Sequence, residues 1–172
     1  LLPGLENAHM HLYSSLAVGM PAPAVDSFEE ALDKVWWPLD RSLGLVEVEA
    51  SAQVGLLGAL QAGCTTVVDH HASPGAIQGS LERIAGSARQ LGVRIAVAYE
   101  LSDRNGADGF SEGLEENAES IERYTGPYCR AVLGLHAGST LSETSLQRAA
   151  TVRGPVHIHA GESQGDVDFA QS

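Results

Sequence analysis

Five candidate strands alternate along this chain with helix-forming stretches, and each carries at or near its end a residue able to do chemistry. The strands are Leu5 to His11, Thr65 to His71, Val93 to Leu101, Arg130 to His136 and Val156 to Glu162. Runs that are apolar on both faces and alternate with helices predict a parallel sheet covered by helices. Two architectures fit, an open doubly wound sheet and part of a (β/α)8 barrel. The tips choose between them: His11, Asp69 to His71, Glu100, His136 and His159 to Glu162 put chemistry at the carboxyl ends of several strands, which is the barrel pattern. An open sheet would gather it at one switch point, and no glycine-rich phosphate loop follows the first run. A complete barrel takes about 250 residues and eight strands, so the expectation is an α/β fold, a partial TIM (β/α)8 barrel of about the first five β/α units. Residues 1–172 are then a single partial domain and a fragment of a longer chain, with Leu1 opening directly against the first strand.

Local signals set the helices. Ser27 with Glu30 three residues on makes a capping box, and the segment from Phe28 to about Trp37 reads as helix until Pro38 stops it. Val46 to Ala62 is rich in Ala, Leu, Val and Glu and ends at Gly63. Ala76 to Leu91 places Ile77, Leu81, Ile84, Ala85, Ala88 and Leu91 on one face, closed by Gly92. Glu112 to Tyr124 is an acidic helix. Ser142 to Val152 is a further one, broken by Gly154-Pro155, and the tail from Ser163 is too short to assign.

The formal charge of −12 repels a nucleic-acid backbone or an anionic membrane, and leaves a small neutral or cationic substrate as the expected partner. With 44% hydrophobic and 19% charged residues the chain reads as soluble and globular. Cys64 and Cys129 lack CxxC spacing and read as free thiols in a reducing compartment. No apolar run reaches the roughly 20 residues that span a bilayer, and nothing resembles a signal peptide. A cytoplasmic protein is expected, and the open sheet edge of an incomplete barrel is expected to pair with another chain, a homo-oligomer.

His9-Met10-His11 puts two imidazoles on one side of a strand. Alone, such a pair is more often a solvated surface feature than a ligand pair. His157 and His159 repeat the spacing on another strand, and Glu162 follows three residues later. Two same-face pairs on parallel strands, with a carboxylate beside the second, point to a metal site for zinc or a similar ion, iron included. By spacing alone His157 is as good a ligand as His159.

Pro3-Gly4-Leu5-Glu6-Asn7-Ala8-His9-Met10-His11 resembles the PGLxNxHxH opening of the amidohydrolase superfamily, in the branch of cytosine, guanine and adenosine-type deaminases and triazine hydrolases. Gly63 to Asp69 is similar to that branch's second-strand GxTTxxD segment, and His159-Ala160-Gly161-Glu162 to its fifth-strand HxxE. Within the branch, Asp69 to Ala76 and Tyr99 to Gly106 resemble aminohydrolases associated with selenium metabolism, the SsnA-like group. The resemblance implies that His9, His11 and His159 bind one divalent metal, that Glu162 is the proton shuttle, and that His136 faces the substrate. It implies hydrolytic deamination of a nitrogen heterocycle by metal-bound hydroxide. Hydrolytic dechlorination or cyclic-amide opening on the same fold, and a non-catalytic domain with incidental metal binding, are the alternatives. The family's histidine after strand six, its metal-binding aspartate after strand eight and its β-sandwich have no counterpart here.

Other residues stay open. His157, once the HxxE match selects His159, is expected in a lower barrel layer. Alternation sends one of His70 and His71 inward and one outward, and a substrate contact by either is a candidate role. Asp69 either orients a ligand histidine or caps a loop. Glu100, Asp103 and Arg104 either read the substrate or belong to a solvated loop. Trp36-Trp37 either forms a lid or is core, and Tyr13 and Met20 fall in a loop that could line a pocket.

Overall fold

The computed structural model describes residues 1–171. Strands β1 (Leu5–Met10), β2 (Cys64–His71), β3 (Arg94–Leu101), β4 (Cys129–Ala131), β5 (Leu133–Ala137) and β6 (Val156–His159) form one sheet in the order β1-β2-β3-β5-β6, with β4 beside β3. Every strand pair is parallel. The fourth expected strand is divided: β4 and β5 both pair with β3, on either side of Val132, whose N–H donates to the Val97 carbonyl at 3.0 Å. The sheet curls into a half barrel, so that His9 on one edge strand touches His157 on the other at 2.7 Å. Along those edges Leu5, Val156 and Ile158 remain 61%, 54% and 41% exposed.

Helices α1 (Phe28–Ala31), α2 (Trp37–Arg41) and α7 (Gln164–Gln171) lie at the strand tips, while α3 (Leu45–Gln61), α4 (Ser80–Leu91), α5 (Gly106–Arg123) and α6 (Glu143–Ala149) cover the convex face. Leu56, Leu81, Ile84 and Phe110 from these helices bury against Val67, Val97 and Leu101 of the sheet. Two glycines set close approaches. A Cβ on Gly55 would lie 2.3 Å from Ser15 Oγ, so glycine lets α3 press on the turn after β1; a Cβ on Gly134 would lie 2.3 Å from the Tyr99 carbonyl, so glycine lets β5 reach β3.

Four boundaries differ from the sequence reading. Pro38 does not stop the first helix: a π-turn over Leu32–Trp36, with the Trp37 N–H bonded to the Leu32 carbonyl, carries the path into α2. The wider turn absorbs the donor that proline lacks. Helix α4 starts at Ser80 and not Ala76, because Gly79 takes a left-handed conformation and Glu116 of α5 supplies the cap, accepting from the N–H groups of Gly79 and Leu81 at 2.9 Å each. Helix α5 begins at Gly106, well ahead of Glu112. Strand β6 ends at His159, so Glu162 stands on a turn held by Asp166, whose carboxylate accepts from the Gly161 N–H at 2.5 Å, and the tail forms α7.

Candidate metal centre and active site

The strand tips on the concave face bring His9, His11, His70, His136, His157 and His159 together. His11 Nδ1 donates to the His70 carbonyl at 2.6 Å, and His159 Nδ1 donates to the His136 carbonyl at 2.9 Å. A carbonyl can only accept, so in each ring the hydrogen is on Nδ1 and the lone pair on Nε2. His9 Nδ1 lies 2.7 Å from His157 Nε2, which fixes the same tautomer when His9 donates. The three lone pairs then converge: His159 Nε2 is 3.2 Å from His11 Nε2 and 3.3 Å from His9 Nε2.

Spacing separates ligands from supports. Two nitrogens held at about 2.05 Å by one tetrahedral zinc stand roughly 3.3–3.4 Å apart. The distances of 3.2 and 3.3 Å within the His9, His11 and His159 trio match that edge. The 2.7 Å between His9 and His157 is too short for two ligands and right for a hydrogen bond. A second trio, His9, His70 and His157, is therefore a supporting layer, and His157 orients His9 from below. Electrostatics agree, since burial pushes His11 down to about 4, and burial followed by the neighbouring His159 lowers His9, keeping both imidazoles neutral as ligation requires.

His70 and His71 part company as alternation demands. His70 faces the histidine cluster, its ring 4.6 Å from that of His159, fully buried with neither ring nitrogen bonded. His71 turns to the helix-covered face, where Nε2 meets Ser73 Oγ at 2.8 Å and the ring lies between Tyr13 and Tyr99, so it does not reach the cavity. Asp69 touches no histidine ligand; its Oδ1 accepts the Leu12 N–H at 2.7 Å and so holds the backbone immediately after His11. Burial raises its carboxyl to about 7.

A cavity of about 220 Å³ opens beside the trio, with His11, Glu100, His136, His159 and Glu162 in its lining. Trp36, Trp37 and Asp40 roof it from the helical segment that Pro38 fails to end. Glu100 is no solvated loop residue: it is 7% exposed, and burial raises it to about 8 against the opposing charge of Arg104. The Arg104 side chain is 8% exposed, with Nη2 2.5 Å and Nη1 3.3 Å from the two oxygens of Asp40, and its guanidinium 5.3 Å from the Trp37 ring. Asp103 does not face the cavity; it caps α6 through the Ser142 N–H and the Ser145 hydroxyl. Asp40 had no sequence signal, since a carboxylate on a helix surface and one folded over a pocket look alike in sequence.

The amidohydrolase family model matches residues 1–171. The chain belongs to the amidohydrolase family. This amidohydrolase is 28% identical over 173 residues to the 5-methylthioadenosine/S-adenosylhomocysteine deaminase of Bacillus cytotoxicus, covering 97% of this chain and 39% of that protein. It is 29% identical over 189 residues to the 8-oxoguanine deaminase of Pseudomonas aeruginosa, covering 98% and 42%. Among solved structures it superposes on an adenosine deaminase from Xanthomonas campestris with bound zinc at a TM-score of 0.80 and 21% identity, covering 98% of this chain and 38% of that one. It superposes on atrazine chlorohydrolase from Arthrobacter aurescens complexed with zinc at 0.72 and 26% identity, covering 98% and 43%. The chain thus spans about two fifths of the length of these relatives, in keeping with a half barrel. No single helix among the described residues is long and apolar enough to cross a membrane.

Proposed function

We propose that this chain supplies the first half of the active site of a metal-dependent aminohydrolase that removes an amino group from a nitrogen heterocycle. His9, His11 and His159 hold one divalent ion, zinc first and iron as the alternative. The observation that carries the reading is the convergence of three Nε2 lone pairs whose Nδ1 partners are all occupied. When bound, such an ion acidifies a coordinated water and makes it a nucleophile near neutral pH.

The chain's own groups do the rest. Glu162, on the turn beyond β6 and in the cavity lining, accepts the proton of the attacking water and passes it to a ring nitrogen, and then carries the proton of the added hydroxyl to the amino group, which leaves as ammonia. His136 faces the substrate from the tip of β5, and Trp36 and Trp37 shelter the ring from bulk water. His70 stands behind the trio as a second contact, whereas His71 supports the strand tip through Ser73. We place residues 1–172 in one partial domain of a cytoplasmic enzyme. The exposed apolar residues on β1 and β6 support association with further protein, and we assign a homo-oligomer.

The likeness to atrazine chlorohydrolase keeps chloride as a second leaving group in view. Metal analysis of the full-length protein, with ammonia and chloride release from purines, pyrimidines and triazines followed separately, tests both readings. Stoichiometric zinc with ammonia release is expected. Chloride release alone would transfer the reading to dechlorination, and protein that neither binds zinc nor turns over any ring would end it.

A further inference from the structure

The roof of the cavity is fastened to the barrel by a charge. Of the described residues from Ser14 to Ser42, Asp40 alone is buried, at 1% exposed. A segment lying on a core ordinarily anchors itself by apolar side chains, and here the anchor is a carboxylate. Arg104 meets it with both Nη atoms, at 2.5 and 3.3 Å, and lies 5.3 Å from the Trp37 ring. The base of Arg104 belongs to the barrel: its own N–H donates to Ser102 Oγ at 3.3 Å just beyond β3, and Asp103 beside it caps α6. The ion pair therefore joins α2 on one side to the β3 tip on the other. Elsewhere the roof is loosely tied. Glu29 accepts from the Ser163 hydroxyl at 2.9 Å in an exposed hydrogen bond. Gly19 takes a left-handed φ of 83°, and Met20 to Val25 form neither helix nor strand.

Arg104 also has a second acceptor within reach. Glu100 Oε1 lies 3.7 Å from Nη2, beyond hydrogen-bond distance, and Arg104 Nε has no partner. The guanidinium forks more N–H hydrogens than Asp40 uses, and a carboxyl accepts in either protonation state. Separating a buried ion pair is costly chiefly because it strands a charge. Glu100 removes that obstacle on the barrel side, and lifting carries Asp40 into water. Resting on the aminohydrolase reading for what passes beneath it, we propose that the segment from Met20 to Arg41 is a lid hinged at Gly19 and latched by Arg104, which holds Asp40 when the lid is shut and turns to Glu100 when it lifts. Arg104 is a positioning residue: shutting sets Trp36 and Trp37 over the cavity, and lifting admits the ring.

The test is amide hydrogen exchange, read peptide by peptide by mass spectrometry on the zinc-loaded full-length protein. Asp40→Asn turns one of the two acceptors facing Arg104 into a donor. Exchange across residues 28–41 is expected to quicken at least about tenfold, while α3 and α4 stay within about twofold of the wild type. Arg104→Lys keeps the charge and loses the fork. It is expected to quicken the same residues by a smaller factor, and it carries the test if Asp40→Asn does not fold. In the double variant the two effects should fall short of their product, since both remove one contact. Roof exchange unchanged by both variants, exchange quickened equally in the roof and in α3 and α4, or a double variant at the full product overturns the proposal. Ammonia release from purines and pyrimidines is scored in the same preparations. Roof exchange as expected with no ammonia from any ring would sink the aminohydrolase reading and leave the latch standing, and ammonia release with roof exchange unchanged by both variants would do the reverse.

Discussion

Asn117, packed on β3 from the helix-covered side, and Glu100, within β3 on the concave side, are both buried polar groups, and the fold treats them in opposite ways. Asn117 spends its whole amide: Oδ1 accepts from the N–H groups of Tyr99 and Gly134, and Nδ2 donates to the carbonyls of Tyr99 and Gly113. Glu100 spends nothing at hydrogen-bond distance. At Asn117 the helix-covered face uses polar atoms to close the backbone's own accounts, as burial requires, although Asp69 Oδ2 and His71 Nδ1 on that face have no partner. The other keeps the Nε2 atoms of His9, His11 and His159 and both ring nitrogens of His70 open. A polar group left open in a folded core has a cost, and a cluster of them on one face marks where a ligand completes the structure.

The sharpest way to break this contrast is at Glu162. Glu162→Gln in the zinc-loaded full-length enzyme is expected to lower kcat by about 10²–10⁴-fold, the usual worth of a positioned general acid and base, with zinc content and melting temperature unchanged. Normal turnover would remove Glu162 from the chemistry. On the opposite face Asn117→Ala should do the converse. It strands the Tyr99 and Gly134 donors and the Tyr99 acceptor and costs about 3 kcal/mol of stability by chemical denaturation, while the surviving folded protein keeps its zinc. A loss below about 0.5 kcal/mol, the range of an unremarkable surface change, would show that Asn117 does not clasp the two strands.

Much of this division is legible in the chain. Strand tips, parallel order and the two histidine pairs follow from local pattern, because alternation and β-branching act over a few residues. What is not legible depends on partners remote in sequence. Glu116 capping α4 lies 37 positions from Gly79, and Asp40 meets Arg104 across 64. Pro38 misleads for a related reason: a local rule says stop, and packing of Trp37 and Asp40 over the cavity rewards a π-turn instead. His157 against His159 is the instructive case. Spacing cannot rank them, and only the 2.7 Å contact with His9 shows which one supports and which one shares the trio.

That ranking gives the next prediction. His157→Ala should weaken zinc binding by about 10–100-fold, the range for a residue that orients a ligand, and His157→Gln, able to accept from His9 Nδ1, should recover part of it. Loss of zinc as complete as in His159→Ala would make His157 a ligand and reverse the assignment.

The smallest effect separates the faces by pH. Asp69, behind the trio, has its carboxyl raised by burial from 3.8 to about 7. Between those values the folded state holds a proton that the unfolded state has released. The stabilising contribution is thus fully present below about pH 4 and is lost as pH rises through about 7. Asp69→Asn keeps an acceptor for the Leu12 N–H at the same place and cannot ionise. Comparing unfolding free energies of the two proteins from pH 4 to 8, the difference should move in favour of the variant as pH rises, by no more than about 1.4 kcal/mol per unit. Because His11 follows Asp69 only through the Leu12 backbone, the zinc affinity of the variant should stay within a few fold of the wild type. A parallel collapse of zinc binding would mean that Asp69 acts on the metal ligands directly, and that the helix-covered face shares in the chemistry of the other.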